Sequence, residues 1–257
     1  MDFGSMLDDS LAYARDGVWE RWSRWVLLIV SMIIFPLILG YMVRIYRGVK
    51  PAPEPEGWWN LFIDGLKLLV VQIIYFLPVI LLIILAFVPM IAAFLNAGIL
   101  SENFSTMSDA QSEQWFENHP EIFASLGIMI VLLLIAFVLA IIITFFSYLG
   151  VVRFARTGSI REAFNFTAIL AHVGRIGWIN YIIALIAITI IGYIFGTVMN
   201  FFSLIPVAGI FIELLLMGIL YVPFLLFSAR FATLVYDAGE EVPGQVLDPS
   251  TTAGTGA

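Results

Sequence analysis

Few side chains in this sequence combine a reactive type with a place where it could act. Glu213 lies between Ile212 and Leu214 inside an apolar run, where an ionised carboxylate costs several kcal/mol unless it is protonated, paired or wetted. It reads either as a site for an ion, a proton or a polar solute, or as a protonated packing residue. Gln72, Thr144, Thr189, Tyr193 and Asn200 are the candidate polar partners in other apolar runs. His119, flanked by Glu117 and Glu121, offers ligand types to a metal, but alternate residues in an acidic loop make a poor cage and a solvated loop is the better reading. His172 falls on the polar face of a connector, towards solvent or lipid. Asp64 and Lys67 stand one helical turn apart beside Trp58 and Trp59, the spacing of an interfacial ion pair. Arg44, Arg47, Arg153 and Arg156 follow long apolar runs, where guanidinium groups reach lipid phosphates while the preceding turns stay in hydrocarbon. They form a lipid-headgroup collar. The sequence holds no nucleophile elbow, zinc-protease motif or phosphate-cradling glycine loop, and no cysteine. These residues imply no enzyme, no cofactor and no metal.

The elements that carry them are membrane elements. Hydrophobic residues make up 61% of the 257 and charged residues 12%, against about 45–50% and about 25% in soluble domains. The expected fold is all-α: a polytopic transmembrane helical bundle with about five membrane segments plus interfacial amphipathic helices. The net charge of −7 is concentrated in the 103–121 connector and the termini, and argues against nucleic acid as a partner. The expected partners are the lipid bilayer and further copies of the chain or other membrane subunits.

Three regions follow. Residues 1–24 read as an interfacial amphipathic helix capped at Ser5–Asp8, with Leu7, Leu11, Ala14, Val18, Trp22 and Trp25 on one face, or as a cap folded on the bundle. Residues 25–236 form the transmembrane domain. Its first apolar segment, 25–43, has Pro36 and Gly40 as a kink. The second, 61–95, carries Pro78 and Pro89 and is expected to be kinked or broken. Segments at 122–152 and 179–199 follow, the latter with Gly192 and Gly196 in the GxxxG spacing of a helix-packing face. The fifth ends at Arg230. Residues 237–257, rich in Gly, Pro, Ser, Thr and acid, form a disordered tail.

Between the third and fourth segments, Ser159 and Glu162 have capping-box spacing, predicting a helix from about Ser159. Phe166, Ile169, Leu170 and Val173 line its apolar face. A weak internal repeat relates Leu39–Gly48 to Leu149–Gly158, though any two helices ending at one interface acquire Gly and Arg there.

Cation placement sets orientation. The collars at 44–67 and 153–175 and the C-terminus are expected in the cytoplasm of a multi-pass cell-membrane protein, with loop 101–121 outside. Five crossings would leave Arg15, Arg21 and Arg24 outside. A re-entrant segment one, turning near Pro36, would bring every cation inside, and a split second segment would give six crossings.

Gly40-Tyr41-Met42-Val43-Arg44, Gly57-Trp58-Trp59-Asn60 through Lys67 with Tyr75 to Pro78, and Gly158-Ser159 followed by Ala163-Phe164-Asn165-Phe166 carry a resemblance. Over about residues 10–236 the chain resembles an uncharacterised, largely archaeal membrane-protein family catalogued as domain of unknown function 4013. That resemblance implies a small helical membrane domain and brings no activity or catalytic residues. Two functions stay open: a structural or accessory scaffold that self-associates or joins a larger complex, and a small transporter or channel that uses Glu213.

Overall fold

The computed structural model describes residues 1–98, 107–201 and 208–240, with the backbone alone for 208–215 and 217. Ten helices and no strand occur among the described residues. They divide into two compact units, 1–71 with 148–257 and 72–147.

In the first unit, α1 (Phe3–Val18) starts one turn before the predicted cap: the Asp2 carboxylate, not Ser5, accepts a first-turn N–H, that of Ser5 at 3.2 Å. Its buried face is Met6, Ser10, Tyr13, Ala14, Gly17 and Val18, packed along α10 (Ala208–Asp237), while Leu11 is exposed. The face is turned from the expected one because Asp9 and Tyr13 both meet Arg230.

Segment 25–43 lies in two short helices, α2 (Trp22–Ile33) and α3 (Phe35–Tyr46), broken at Ile34. Pro36 has no N–H to continue α2 but suits the first turn of α3. Twelve residues each give about 18 Å, short of the roughly 30 Å hydrocarbon core. Arg24, in the first turn of α2, pairs with the Glu54 carboxylate. Arg44, in the last turn of α3, donates to the Glu54 carbonyl at 3.1 Å and the Glu56 carbonyl at 2.5 Å. Both outer ends therefore meet one strap, and the helices form an antiparallel hairpin. The chain path through residues 25–43 thus turns back on itself near Pro36.

Next come α4 (Trp58–Asn96), α5 (Asp109–Glu117), α6 (Pro120–Thr157), α7 (Ile160–Ala163), α8 (Phe166–Ile176) and α9 (Trp178–Phe201). Segment two, expected to be kinked or broken, is not broken: α4 runs as one helix through Pro78 and Pro89, each proline removing one hydrogen bond from a ladder whose other bonds stay shielded from water. In four places the helices are long and apolar enough to cross a bilayer: α4, α6, α9 and residues 218–237 of α10. The chain is a polytopic transmembrane helical bundle.

Two glycines let α3 and α4 meet backbone to backbone. A Cβ on Gly40 would strike the Leu61 carbonyl, with the Leu61 carbon at 2.6 Å; one on Gly65 would strike the Pro36 carbonyl, with the Gly40 nitrogen at 2.6 Å. Gly40 is thus a contact residue rather than a kink. α3 lies at the centre of its unit, with Leu37 through Tyr41, Val43, Ile45 and Tyr46 buried.

The second unit contains the rest of α4 and α6, joined through α5. Here the acidic connector holds a helix instead of a loop. Ser108 and Gln111 form a reciprocal capping box, a pattern present in the sequence as Ser-x-x-Gln. Trp115 is seated against Ala93, Ala97 and Ile122, which anchors α5.

Candidate functional site

The polar chemistry of the first unit is gathered where α3 and α6 end and α4 and α9 begin. The last carbonyls of a helix lack intrahelical donors and carry partial negative charge. Arg47, just past α3, donates from Nε to the Ala155 carbonyl of α6 at 3.3 Å. Arg156 of α6 donates from Nε to the Tyr46 carbonyl of α3 at 2.8 Å. The C-terminal ends of α3 and α6 thus exchange arginine donors. Both chains turn away at a left-handed glycine, Gly48 (φ +86°) and Gly158 (φ +70°), and the Arg156 guanidinium lies 2.9 Å from where a Gly48 Cβ would sit.

Carboxylates complete this belt. Arg47 also pairs with Asp64 at 2.7 Å, and Lys67 stands 3.9 Å from the same carboxyl group. Arg156 also pairs with Asp237 and covers the Tyr236 ring at 5.8 Å. Asp9 bridges Lys50 at 2.5 Å and Arg230 at 2.7 Å, and the Arg230 bond holds its carboxyl below the ordinary range. Burial pushes the nearby Tyr13 hydroxyl up to about 12. Glu54 receives Arg21 and the buried Arg24, and the Arg24 bond lowers it. Arg153 binds Glu162 and lowers it likewise. That pairing also explains why the predicted capping box fails: Glu162 turns to Arg153, and Ser159 makes no side-chain cap bond. The helix restarts instead at Asn165, which caps α8 through the Ala168 N–H at 3.2 Å.

Arg44, Arg47, Arg153 and Arg156, picked out in the sequence as headgroup-facing, therefore share one belt, and every one of them holds a protein group. Arg24 and Arg230, at the edges of the first and fifth apolar segments, are both buried. Asp64 and Lys67, read in the sequence as an interfacial pair, join the belt through Arg47. Gln72 is half-buried on α4. Glu213 lies on the α10 backbone, and its side chain is outside the described residues. A Cβ on Gly192 would sit 3.7 Å from the Phe224 ring of α10, and one on Gly196 would meet no described residue within 4 Å. His119 turns its Nδ1 to the Trp115 carbonyl at 2.7 Å.

His172 is buried, contrary to its expected outward position. It stacks on Tyr236 at 4.1 Å. Because an arginine can only donate, the contact of Arg175 with Nδ1 at 2.7 Å makes Nδ1 the acceptor and Nε2 the donor to the Tyr236 carbonyl at 2.8 Å. The imidazole is thus held neutral. Burial, then the Arg175 and Arg153 charges, lower its pKa against the opposing Tyr236 carbonyl and Glu240. A lowered folded-state value means the unfolded chain binds the proton first, so stability falls as pH drops below about 6.5 towards that lowered value. Thermal melts should show this slope for the wild type and lose it in His172→Gln, whose amide can still donate to Tyr236. An unchanged slope in the variant would remove His172 from the account. Loss from Asp9, Glu54 and Glu162 begins only nearer pH 4.

Beside this cluster, a cavity of about 610 Å³ opens between the start of α1, the end of α8 and the end of α10, with Asp2, Arg175, Asn180 and Asp237 as its polar lining. Among the described residues no three His, Asp or Glu side chains are grouped to hold a metal. The belt fastens helix ends and neutralises their dipoles.

A family model described as Protein of unknown function (DUF4013) matches residues 25–204, more than half of the chain. No curated protein and no solved structure matches.

Proposed function

We propose that this chain, which belongs to that family of proteins of unknown function, is a membrane scaffold that assembles through its own apolar helices with further copies or with other membrane subunits. The observation that carries the reading is the contrast between its fastened end and its open faces. Within the most apolar stretch of α6 only 6% of residues are buried by the chain itself, and in α9 11%, against 44% in the α10 stretch. The polar side chains of the belt meanwhile spend their bonds on holding helix ends. Helices presented in this way offer wide surfaces to a neighbour, and the small residues Gly192 and Gly196 mark where a second helix can approach closely.

The orientation belongs to the same proposal. With all twelve cations at the belt end, that end faces the cytoplasm and α5 faces outside.

Native mass spectrometry in mild detergent tests the assembly: a complex larger than one chain is expected, and a bare monomer at all concentrations would contradict it. Gly196→Leu refines the test. No described residue lies within 4 Å of a Cβ at that position, so the variant should weaken association about tenfold (about 1.4 kcal/mol) while leaving the monomer's melting unchanged. An unaffected complex would remove this face from the interface.

A further inference from the structure

From the α2–α3 hairpin we infer that this element is a wedge in a single leaflet, and that it couples the protein to membrane curvature. The hairpin's two ends meet the same strap at Glu54 and Glu56, so it enters and leaves at the belt end. Between Arg24 and Arg44 the sequence holds no charged residue. At the mouth, Trp22 stacks on Trp25 with ring centroids 5.4 Å apart and is 6.3 Å from Trp19, the aromatic chemistry that favours the headgroup level. Trp22, Val26, Val30 and Ile33 form an exposed stripe running away from that mouth, and the tip is its most exposed point, with Ile33 at 83%. The opposite side of α2 is taken by its own chain: Ile29 reaches within 3.5 Å of where a Gly218 Cβ would sit on α10, and Leu28 is buried.

A stripe of this chemistry, about 18 Å deep and ending on bare Ile33, Ile34 and Phe35, is matched by the acyl chains of the belt-side leaflet. The roughly 30 Å core is too thick for the tip to emerge in the opposite water. Two helices, each about 10 Å across, then displace lipid from one leaflet and not from the other. Expanding one leaflet alone favours a surface convex on that side. The inference rests on the chain's membrane placement and not on its self-association, so a monomeric protein would leave it standing.

The natural chain has no cysteine, which permits single-site labelling of the full chain in reconstituted vesicles. A fluorophore on Ile33→Cys should be quenched most by lipids carrying a nitroxide deep on the acyl chain, and one on Ser23→Cys by lipids carrying it near the headgroup. Labelling of Ile33→Cys by an impermeant reagent, or fluorescence at Ile33 untouched by any nitroxide lipid, would overturn the wedge, the second by pointing to a protein occupant. Curvature is read on narrow tubes pulled from giant vesicles. Molecules labelled from outside at Thr157→Cys have the belt outward and should partition into the tube with a coefficient above unity. Those labelled from outside at Glu113→Cys are inverted and should fall below unity. Equal partitioning of the two populations would overturn the curvature coupling.

Discussion

Gly65→Ala lowers the melting temperature of the purified protein by on the order of 10 °C, and Gly40→Ala does nearly the same. Overpacking a core with one methyl group usually costs about 1–3 kcal/mol because side chains can shift. Here the added Cβ would meet backbone, the Pro36 carbonyl in one case and the Leu61 carbonyl in the other, and backbone in two packed helices can move only if the helices separate. A cost of about 3 kcal/mol or more follows, which in a domain of this size corresponds to about 6–12 °C. The control is Gly196→Ala, where no described residue lies within 4 Å of the added Cβ and a monomer should melt within about 0.5 kcal/mol of the wild type. Equal effects at Gly65 and Gly196 would show that α3 and α4 do not meet as described.

These glycines show where the sequence is legible and where it stops. Apolar runs and their length are local properties, so the membrane class and the positions of the long helices can be read directly, whereas the protein groups that Arg44, Arg47, Arg153 and Arg156 hold lie far along the chain or compete with lipid and cannot. The direction of a short helix cannot. Residues 25–43 are long enough to cross once, and only the meeting of Arg24 and Arg44 at Glu54 shows that the chain turns back. Gly40 beside Pro36 has the composition of a kink, whereas its use depends on Gly65, 25 positions later. Ser159 and Glu162 have the spacing of a capping box, but Arg153 competes for the carboxylate and wins. His172 is placed on a polar face by periodicity and buried by a stack on Tyr236, 64 positions away. In the acidic connector the Ser108 and Gln111 cap is the local mark of a helix that hydropathy does not reveal.

The second large effect is expected at Arg24. Its side chain is 4% exposed and reaches the Glu54 carboxylate through two nitrogens and the Gly17 carbonyl through a third at 3.4 Å, which ties α1, α2 and the strap together. Arg24→Met should cost about 2–3 kcal/mol, the range for hydrogen bonds to charged groups. Glu54→Ala leaves a buried guanidinium without its counter-charge, which costs about 3–5 kcal/mol when both partners are dry. The Glu54 side chain is 50% exposed, so water reaches the site and a smaller loss of about 2 kcal/mol is expected. In a double-mutant cycle followed by thermal or denaturant unfolding, the two losses should overlap by about 1 kcal/mol or more. Full additivity would mean that the pair does not hold the hairpin's base.

The central claim is that the chain returns its first apolar segment to the end it started from, so the N-terminus lies on the same side of the membrane as the arginine belt. One measurement addresses it directly: labelling of single cysteines by an impermeant thiol reagent in sealed vesicles of known orientation, with Asp8→Cys in α1, Thr157→Cys at the belt and Glu113→Cys in α5. The account predicts that Asp8→Cys and Thr157→Cys react from one side and Glu113→Cys from the other. Reaction of Asp8→Cys together with Glu113→Cys would mean that residues 25–43 cross the membrane, and would contradict it.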